Sequence, residues 1–367
     1  MNFLEIIRDQ STNLPIQYAG SFREMLKAKI NQFGEIIDSS TDLSEEVGGI
    51  PVTSDVFKRR NKILRDGIVK TVDAYYKGEP SKAYELLKKA LKESNIIGYL
   101  DKEHELPSGS SMFRIRKCTD NYPLTKEELF HIPFQDRSRV NTQRYSIPGL
   151  PSLYLANSIY VAWEEMKRPG FNEIHAARLV NDRPLMLLDL TSDIFARNGN
   201  LVDNVSHGWH LLYKVMVWPL IAACSIKVQN SNDPFKPEYI IPQLLLQWVN
   251  KSAVFGIKYS SSHIDMNKSI HEGRFYNIVI PVRTFDREIG QCGELKNAFR
   301  STQVVPLQLR QFMTSSDRLD DQESIRSNVN PDITAIEMIS GRVQHYSSTI
   351  FGILEHNLNG IELEKFE

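Results

Sequence analysis

Short strand-like runs recur between Met112 and Val282, and helices do not alternate regularly with them. Each run is rich in aliphatic, β-branched or aromatic residues, as strands of a buried sheet are. The runs read FRIRKC, SLYLA, IHAARLV, LMLLDL, AVFGIKYS and NIVIPV. A doubly wound fold would place a helix after nearly every strand, whereas helices are predicted only near 158–167, 208–223 and 237–250. The pattern therefore predicts an α+β fold with a mixed β core.

The segments on either side of this core differ from it in composition. Residues 1–105 are predicted to be a helical region, because segments such as 81–92 (SKAYELLKKALK) carry apolar residues at helical spacing. The turn-rich sequence HELPSGSS then marks a boundary. We predict a core domain over 112–299, followed over 300–367 by a polar linker and a C-terminal helix that begins at Ile333.

The overall charge and the cysteines argue against several classes of protein. A formal net charge of −1 leaves no overall basic field, so binding to nucleic acid would need a local patch. The three cysteines, Cys118, Cys224 and Cys292, are scattered and form no CxxC pair, which argues against a disulfide framework or a zinc ribbon. We expect reduced and mostly buried thiols.

The sequence predicts a cytoplasmic protein without a membrane span. Its longest apolar run, 211–226, contains Lys214 and Pro219 and is shorter than the ~20 residues that cross a bilayer. We expect this run to be buried core. The N-terminal sequence MNFLEIIRDQ carries charges within its short apolar stretch, and no small-residue cleavage site follows it, unlike in a signal peptide.

The most informative block begins with FRIR at Arg114, continues as QRYSIPGLPSLYLANSIYVAWEEM and ends in GIKYSSS, around Tyr259. This ordered set resembles the RES family, named for an arginine, a glutamate and a serine. The family's pattern has an arginine on the first strand, a G-R-W segment, a tyrosine strand, a helix bearing A-x-x-E, and a later G-I-x-Y-x-S strand. The resemblance covers roughly residues 112–282, about half of the chain.

Several residues of this sequence match positions of the family pattern. They are Arg114 on the first strand, Arg116 as a second basic residue, Arg144 of the G-R-W segment, Tyr154 of the tyrosine strand, Glu165 of A-x-x-E and Ser261 of Y-x-S. Glu164 lies next to Glu165, and serines flank Ser261 on both sides, so a slip of one residue stays open at both positions. Gln143 and Tyr145 replace the glycine and the tryptophan of the G-R-W segment.

The resemblance implies an ADP-ribosyltransferase-like fold and a toxin that consumes NAD⁺ and is restrained by a protein antitoxin. Nicotinamide leaves the ribose through an oxocarbenium-like state, as in other glycosyl transfers. A carboxylate near the ribose stabilises the developing positive charge, and the resemblance assigns that role to Glu165. It implies no metal. Ser261 would hydrogen-bond a ribose or carboxamide group.

The remaining matched residues are expected to bind NAD⁺. A guanidinium group donates bidentate, charge-assisted hydrogen bonds, which suit a pyrophosphate, so Arg114 and Arg144 are candidates for that contact. Arg116 would add a second positive charge on the first strand. Tyr154 would stack on the nicotinamide and hold it for departure.

Three functions remain open on the sequence. The acceptor of the ADP-ribosyl group could be water or phosphate, or it could be a protein or nucleic-acid group. The third reading is a catalytically silent binding module, because each matched residue also has an ordinary structural role. The terminal regions exceed what a minimal domain of this family needs, so we expect them to serve partner recognition, homo-oligomerisation or regulation.

Other patterns indicate surface positions. His207 and His210 form an H-x-x-H pair, but no third ligand is apparent nearby, so a surface cluster is favoured over a metal site. His263 and Asp265 are read as outward-pointing residues of an extended segment. The basic segment 58–66 (KRRNKILRD) is read as a solvated helix face.

Overall fold

The computed structural model describes residues 1–47, 49–119, 122–196, 208–264, 266, 271–283, 287–307 and 330–367. Helices and antiparallel strands both contribute, and they follow one another without a regular βα repeat. The predicted α+β class is confirmed. Its closer assignment, an ADP-ribosyltransferase-like core, stays a prediction.

The helices of the described residues concentrate in the first half of the chain. In chain order they are α1 (Phe3–Arg8), α2 (Phe22–Ser39), α3 (Ser54–Tyr76), α4 (Pro80–Glu93), α5 (Lys126–Leu129), α6 (Ile159–Glu165), α7 (Gly208–Ser225), α8 (Ile240–Val249), α9 (Gly293–Ala298) and α10 (Ile350–Asn359). Short 3₁₀ turns link several of them. The predicted helical character of the N-terminal region is confirmed by α1 to α4.

The strands concentrate in the second half. They are β1 (Glu45–Val47), β2 (Ile50–Val52), β3 (Glu105–Leu106), β4 (Ser111–Lys117), β5 (Ser152–Ala156), β6 (Ile174–Asn181), β7 (Leu185–Leu190), β8 (Gly256–Ser260), β9 (Glu272–Gly273), β10 (Tyr276–Pro281), β11 (Phe299–Ser301), β12 (Val305–Pro306), β13 (Ile333–Ile339), β14 (Arg342–His345) and β15 (Glu364–Lys365). Each of the six runs predicted as strands contains a strand.

The chain folds into two compact units. The first unit comprises Met1–His104, Thr142–Ile147 and Leu188–Val254. The second comprises Glu105–Asn141, Pro148–Leu187 and Phe255–Glu367. These units are defined by packing alone. The regulatory role predicted for 1–105 and the catalytic role predicted for 112–299 stay predictions.

Helix α7 forms the centre of the first unit, and the prediction of a buried core at 211–226 is confirmed. Pro219 lies inside this helix and has no N–H, so the carbonyl four residues earlier, at Val215, loses its helical donor. The buried Asn61 amide, on α3, donates to the carbonyls of Val215 and Met216, at 3.5 and 3.3 Å. Its side chain thereby compensates for the missing backbone donor.

Lys214 is the charged residue in this apolar helix, and it is buried. Its Nζ donates to the Asp189 carboxylate at 2.9 Å and to Thr191 through the hydroxyl and the carbonyl, at 2.8 and 3.0 Å. A buried ammonium needs such a set of acceptors, because desolvation of an unpaired charge is costly.

A large sheet forms the centre of the second unit. Its strand order is β15-β11-β6-β4-β5-β10-β8-β7-β3, and β12 also pairs with β6. Along the middle of the sheet, β4 pairs with β6, β5 with β10 and β10 with β8, all antiparallel. Between β4 and β5 the register contains one pair, Phe113 with Ala156, so these neighbours part on either side of it.

The two faces of this sheet bury separate apolar clusters. One cluster contains Leu153, Leu155 and Ile278, and the other contains Phe113 and Ala156 together with α6 and α10. This alternation is the two-residue period of strands that are covered on both faces. Helix α6 packs on β4, β5 and β10 on the second face.

The C-terminal segment corrects one sequence prediction. The helix predicted to begin at Ile333 begins at Ile350, and the residues before it form the hairpin of β13 and β14. The turn needs Gly341, whose φ of +80° suits glycine, and the ITAIEMI sequence buries alternate residues at its start. Residues 308–329, within the predicted polar linker, lie outside the described residues.

Two further observations concern the remaining sequence expectations. Cys224 and Cys292 are buried, Cys118 is partly exposed, and all three are free thiols. No helix within the described ranges has both the length and the apolar character needed to cross a bilayer.

Candidate active site

Glu165 is the last residue of α6, and the N-terminus of this short helix is fixed by two side chains. At the N-terminus, the Ser158 hydroxyl accepts the Val161 N–H at 3.0 Å. The carboxyl group of Glu355, on α10, accepts the Ile159 N–H at 2.7 Å. Two of the otherwise unpaired N–H groups of the first turn are therefore satisfied, which holds α6 against the sheet.

Three side chains, one from β10 and two from the loop after β8, surround the Glu165 carboxylate. The Ser261 hydroxyl donates to Oε1 at 2.6 Å, and the Asn277 amide donates to the same oxygen at 3.0 Å. His263 Nε2 lies 3.9 Å from Oε2, too far for a hydrogen bond. We call Glu165, Ser261, Asn277 and His263 the Glu165 cluster.

Strand pairing delivers Ser261 and Asn277 to the same place. Asn277 lies in a central strand, opposite Ala156 on one side and Tyr259 on the other. Ser261 follows β8 directly, and its N–H donates to the Phe275 carbonyl at 3.0 Å. The Ser261 hydroxyl also accepts the His263 N–H at 3.3 Å, which directs its own proton towards Glu165.

Burial differs within the Glu165 cluster. Ser261 and Asn277 are buried, whereas the Glu165 side chain is 28% exposed and that of His263 is 38% exposed. The carboxylate is therefore held from beneath by two neutral donors and still reaches the surface. Neutral donors orient the carboxylate without placing a positive charge beside it.

Glu164 points to a different set of partners. It is buried, and its carboxylate accepts a hydrogen bond from Arg168 Nε at 2.9 Å. Burial and the neighbouring Glu164 carboxylate raise the pKa of the Tyr160 hydroxyl. Glu164 therefore belongs to a structural network at the end of α6, and Glu165 is the one that meets Ser261.

Arg114 and Tyr154 lie together where β4 and β5 part. Arg114 donates from Nε to the Leu129 carbonyl at 2.5 Å and from Nη1 to the Tyr154 carbonyl at 2.7 Å. Burial, reinforced by the positive charge of Arg116, lowers the pKa of Arg114 to about 10, so it remains cationic near neutral pH. Burial raises the pKa of Tyr154, whose phenol therefore stays protonated.

The other two predicted arginines have structural partners. Arg116 donates from Nη1 to the Glu128 carbonyl in α5. Arg144 belongs to the first unit, where it donates to the Cys224 carbonyl at 2.8 Å and lies over the Tyr239 ring, 5.5 Å from its centroid. The structure thus brings Glu165 and Ser261 together and Arg114 and Tyr154 together, while Arg144 has its contacts in the first unit.

Sequence reasoning missed Asn277 and the closeness of His263 to Glu165. Asn277 lies in YNIVIP, where a polar residue at the start of an apolar strand was the available signal. Asp265 and His207 lie outside the described residues. The structure therefore describes one member of each predicted pair, His263 of His263/Asp265 and His210 of His207/His210. Among the residues that the structure describes, no group of three or more His, Cys, Asp or Glu side chains is arranged to hold a metal ion.

One curated protein resembles this chain over most of the chain's length. The chain is 34% identical over 258 residues to a protein of Bacillus subtilis (strain 168) named "Putative toxin YopC". The aligned region covers 65% of this chain and 57% of that protein, so the chain spans less than two thirds of its relative. No family model and no solved structure matches the chain.

Proposed function

We propose that this protein is a toxin-like enzyme that cleaves NAD⁺ at the bond between nicotinamide and ribose. The observation that carries the proposal is the Glu165 side chain, which is held at one oxygen by Ser261 and Asn277 and is partly exposed at the surface. A fixed carboxylate at a surface site is suited to stabilising an oxocarbenium-like state, because the charge develops beside it without reorganisation.

Arg114 and Tyr154 support the same assignment. Arg114 keeps its charge while backbone carbonyls use Nε and one Nη1 proton. A guanidinium has five N–H donors, so others remain for a phosphate oxygen of NAD⁺. Tyr154 stays neutral, as an aromatic platform for nicotinamide requires. In this scheme Ser261 is a positioning residue for Glu165 as well as a contact to the ribose.

The biological role rests on the resemblance to the Bacillus protein. That relative is named a putative toxin, which supports a toxin-like role for this chain. An enzyme that depletes NAD⁺ inside its own cell would need a restraint, and we propose a protein antitoxin as the partner. Water and phosphate are the acceptors we favour, with a protein or nucleic-acid acceptor as the alternative. A cytoplasmic location and a homo-oligomer remain part of the proposal.

The test is nicotinamide release from NAD⁺ by the purified full-length protein, followed by chromatography. Glu165→Gln keeps the size of the side chain and removes the charge, and we expect release to fall by about 100-fold or more. Glu164→Gln, on the same helix, is the matched control and should retain release, because Glu164 faces Arg168. Water, phosphate, protein and RNA are supplied separately as acceptors.

Two results would overturn the proposal. Intact NAD⁺ after incubation with every acceptor would exclude cleavage of NAD⁺, provided that circular dichroism shows the protein to be folded. Equal toxicity of the wild type and Glu165→Gln on expression in bacteria would show that the toxic effect does not need the carboxylate. That second result would favour a binding module.

A further inference from the structure

We propose that Asn277 is a positioning residue that fixes the orientation of the Glu165 carboxylate and selects which oxygen faces the ligand. This proposal rests on the proposed NAD⁺-cleaving function and deepens it. Its starting observation is the hydrogen bond of 3.0 Å from the Asn277 amide to Glu165 Oε1.

The backbone of Asn277 is paired with a strand on each side, which fixes the position from which its side chain extends. Within β10, Asn277 pairs with Ala156 of β5 and with Tyr259 of β8. The residue is 4% exposed. A buried amide on a central strand loses little freedom on forming a hydrogen bond, because packing has already restricted its rotamers.

Asn277 and Ser261 act on the same carboxylate oxygen. Both donate to Oε1, which leaves Oε2 on the side where His263 approaches to 3.9 Å. A carboxylate held by one oxygen presents the other in a single orientation. A ribose hydroxyl or the developing positive charge would therefore meet Oε2.

The electrostatic consequence concerns the charge of the site. Asn277 and Ser261 are neutral donors, so they hold the carboxylate without forming an ion pair that would cancel its charge. His263 is the titratable group that faces Glu165 from the loop after β8. Arg168 and Tyr160 instead engage Glu164.

The first experiment compares Asn277→Asp with Asn277→Ala in the full-length protein. Asn277→Asp preserves shape but places a second carboxylate about 3 Å from Glu165, so the pair shares a proton. In the dependence of kcat on pH, we expect the acidic limb to move to higher pH by at least about one unit. Asn277→Ala removes the donor and should lower kcat by about 10–100-fold, with a smaller change in KM.

A matched control removes a buried amide elsewhere in the same sheet. Asn181, on β6, is also buried, and its amide donates to the carbonyls of Pro107 and Arg183, at 2.8 and 2.9 Å. Asn181→Ala should leave the pH profile of kcat unchanged. Where Asn277→Ala does not fold, Asn277→Ser takes its place, with folding checked by thermal denaturation.

A second readout does not depend on NAD⁺ cleavage. The Glu165 carboxyl carbon is observed by NMR at one neutral pH in protein labelled at glutamate, with the signal assigned through its loss in Glu165→Gln. We expect its chemical shift to move in Asn277→Ala, because Oε1 loses a hydrogen bond, and to stay unchanged in Asn181→Ala. An unmoved signal in a folded Asn277→Ala protein would overturn the positioning role. A moved signal without nicotinamide release by wild type would support the positioning role and refute the proposed function.

Discussion

Replacing Glu355 with glutamine should make the stability of this protein less sensitive to pH above about 4.5. Glu355 is buried and anchors the N-terminus of the helix that carries Glu165. Burial raises its pKa from 4.5 to about 8, although hydrogen bonds from Tyr346, the Ile159 amide and Asn330 oppose that rise. The carboxyl group is therefore protonated in the folded protein and ionised in the unfolded chain at neutral pH.

The direction and size of the effect follow from proton linkage. Because the folded state binds the extra proton between pH 4.5 and about 8, stability falls as the pH rises through that window. Below pH 4.5 the stabilising contribution is fully present. Each unit of pKa difference corresponds to about 1.4 kcal/mol, so the loss by pH 8 is on the order of 5 kcal/mol.

The assay is the free energy of unfolding by urea, measured by circular dichroism at about pH 5, 6.5 and 8. Glutamine keeps an oxygen that accepts the Ile159 N–H and the Tyr346 hydroxyl but does not titrate. The wild type should lose several kcal/mol more than Glu355→Gln across this range. Groups common to both proteins cancel in the difference.

A third variant separates titration from anchoring. Glu355→Ala removes the acceptor itself, so the buried Ile159 N–H and Tyr346 hydroxyl lose a partner at every pH. We expect a loss of about 1–3 kcal/mol for each group, together with faster hydrogen exchange at the Ile159 amide. Parallel pH dependence in the wild type and Glu355→Gln would refute the reasoning, because the raised pKa would then contribute nothing.

Two more predictions concern buried polar groups. Burial lowers the pKa of His131 to about 4, so stability that is present above pH 6.5 is lost as the pH falls towards 4. His131→Gln should abolish about 3 kcal/mol of that loss in urea unfolding measured at acidic pH. An unchanged acid dependence in the variant would contradict this. Lys214→Met strips Asp189 of its buried cation and should cost about 3–5 kcal/mol in urea unfolding, with part regained in the double variant Lys214→Met/Asp189→Asn. A double variant no more stable than the single one would count against the ion pair.

Strands and helices of the core could be predicted because their own residues determine them. SLYLA became β5 with the predicted bounds, and the helices near 208–223 and 237–250 are α7 and α8 with a preceding 3₁₀ turn. The C-terminal helix was predicted too long. A short apolar and β-branched stretch such as ITAIEMI fits the periodicity of a helix as well as that of a strand. Gly341 was the turn signal that separated hairpin from helix.

The candidate site was less predictable, since its members meet through the sheet. Glu165 and Ser261 were matched by resemblance, and the structure joins them by a hydrogen bond across 96 positions of sequence. Asn277, 112 positions from Glu165, belongs to no motif that spacing could show. Arg144 was expected beside the phosphates, but its guanidinium is engaged by Cys224 and Tyr239. A single arginine can serve as a ligand contact or as a backbone clamp, and sequence does not distinguish the two uses.

The choice between Glu164 and Glu165 shows why geometry had to decide. Consecutive residues of a helix point about 100° apart, so two adjacent glutamates cannot face the same neighbours. Helix α6 is anchored at its N-terminus by Ser158 and Glu355, which sets its rotation about its own axis. That rotation turns Glu164 towards Arg168 and Glu165 towards the strand ends that carry Ser261 and Asn277. The capping contacts of α6 thereby determine which carboxylate meets Ser261 and Asn277, and loosening them should weaken those hydrogen bonds of Glu165 without changing Glu165 itself.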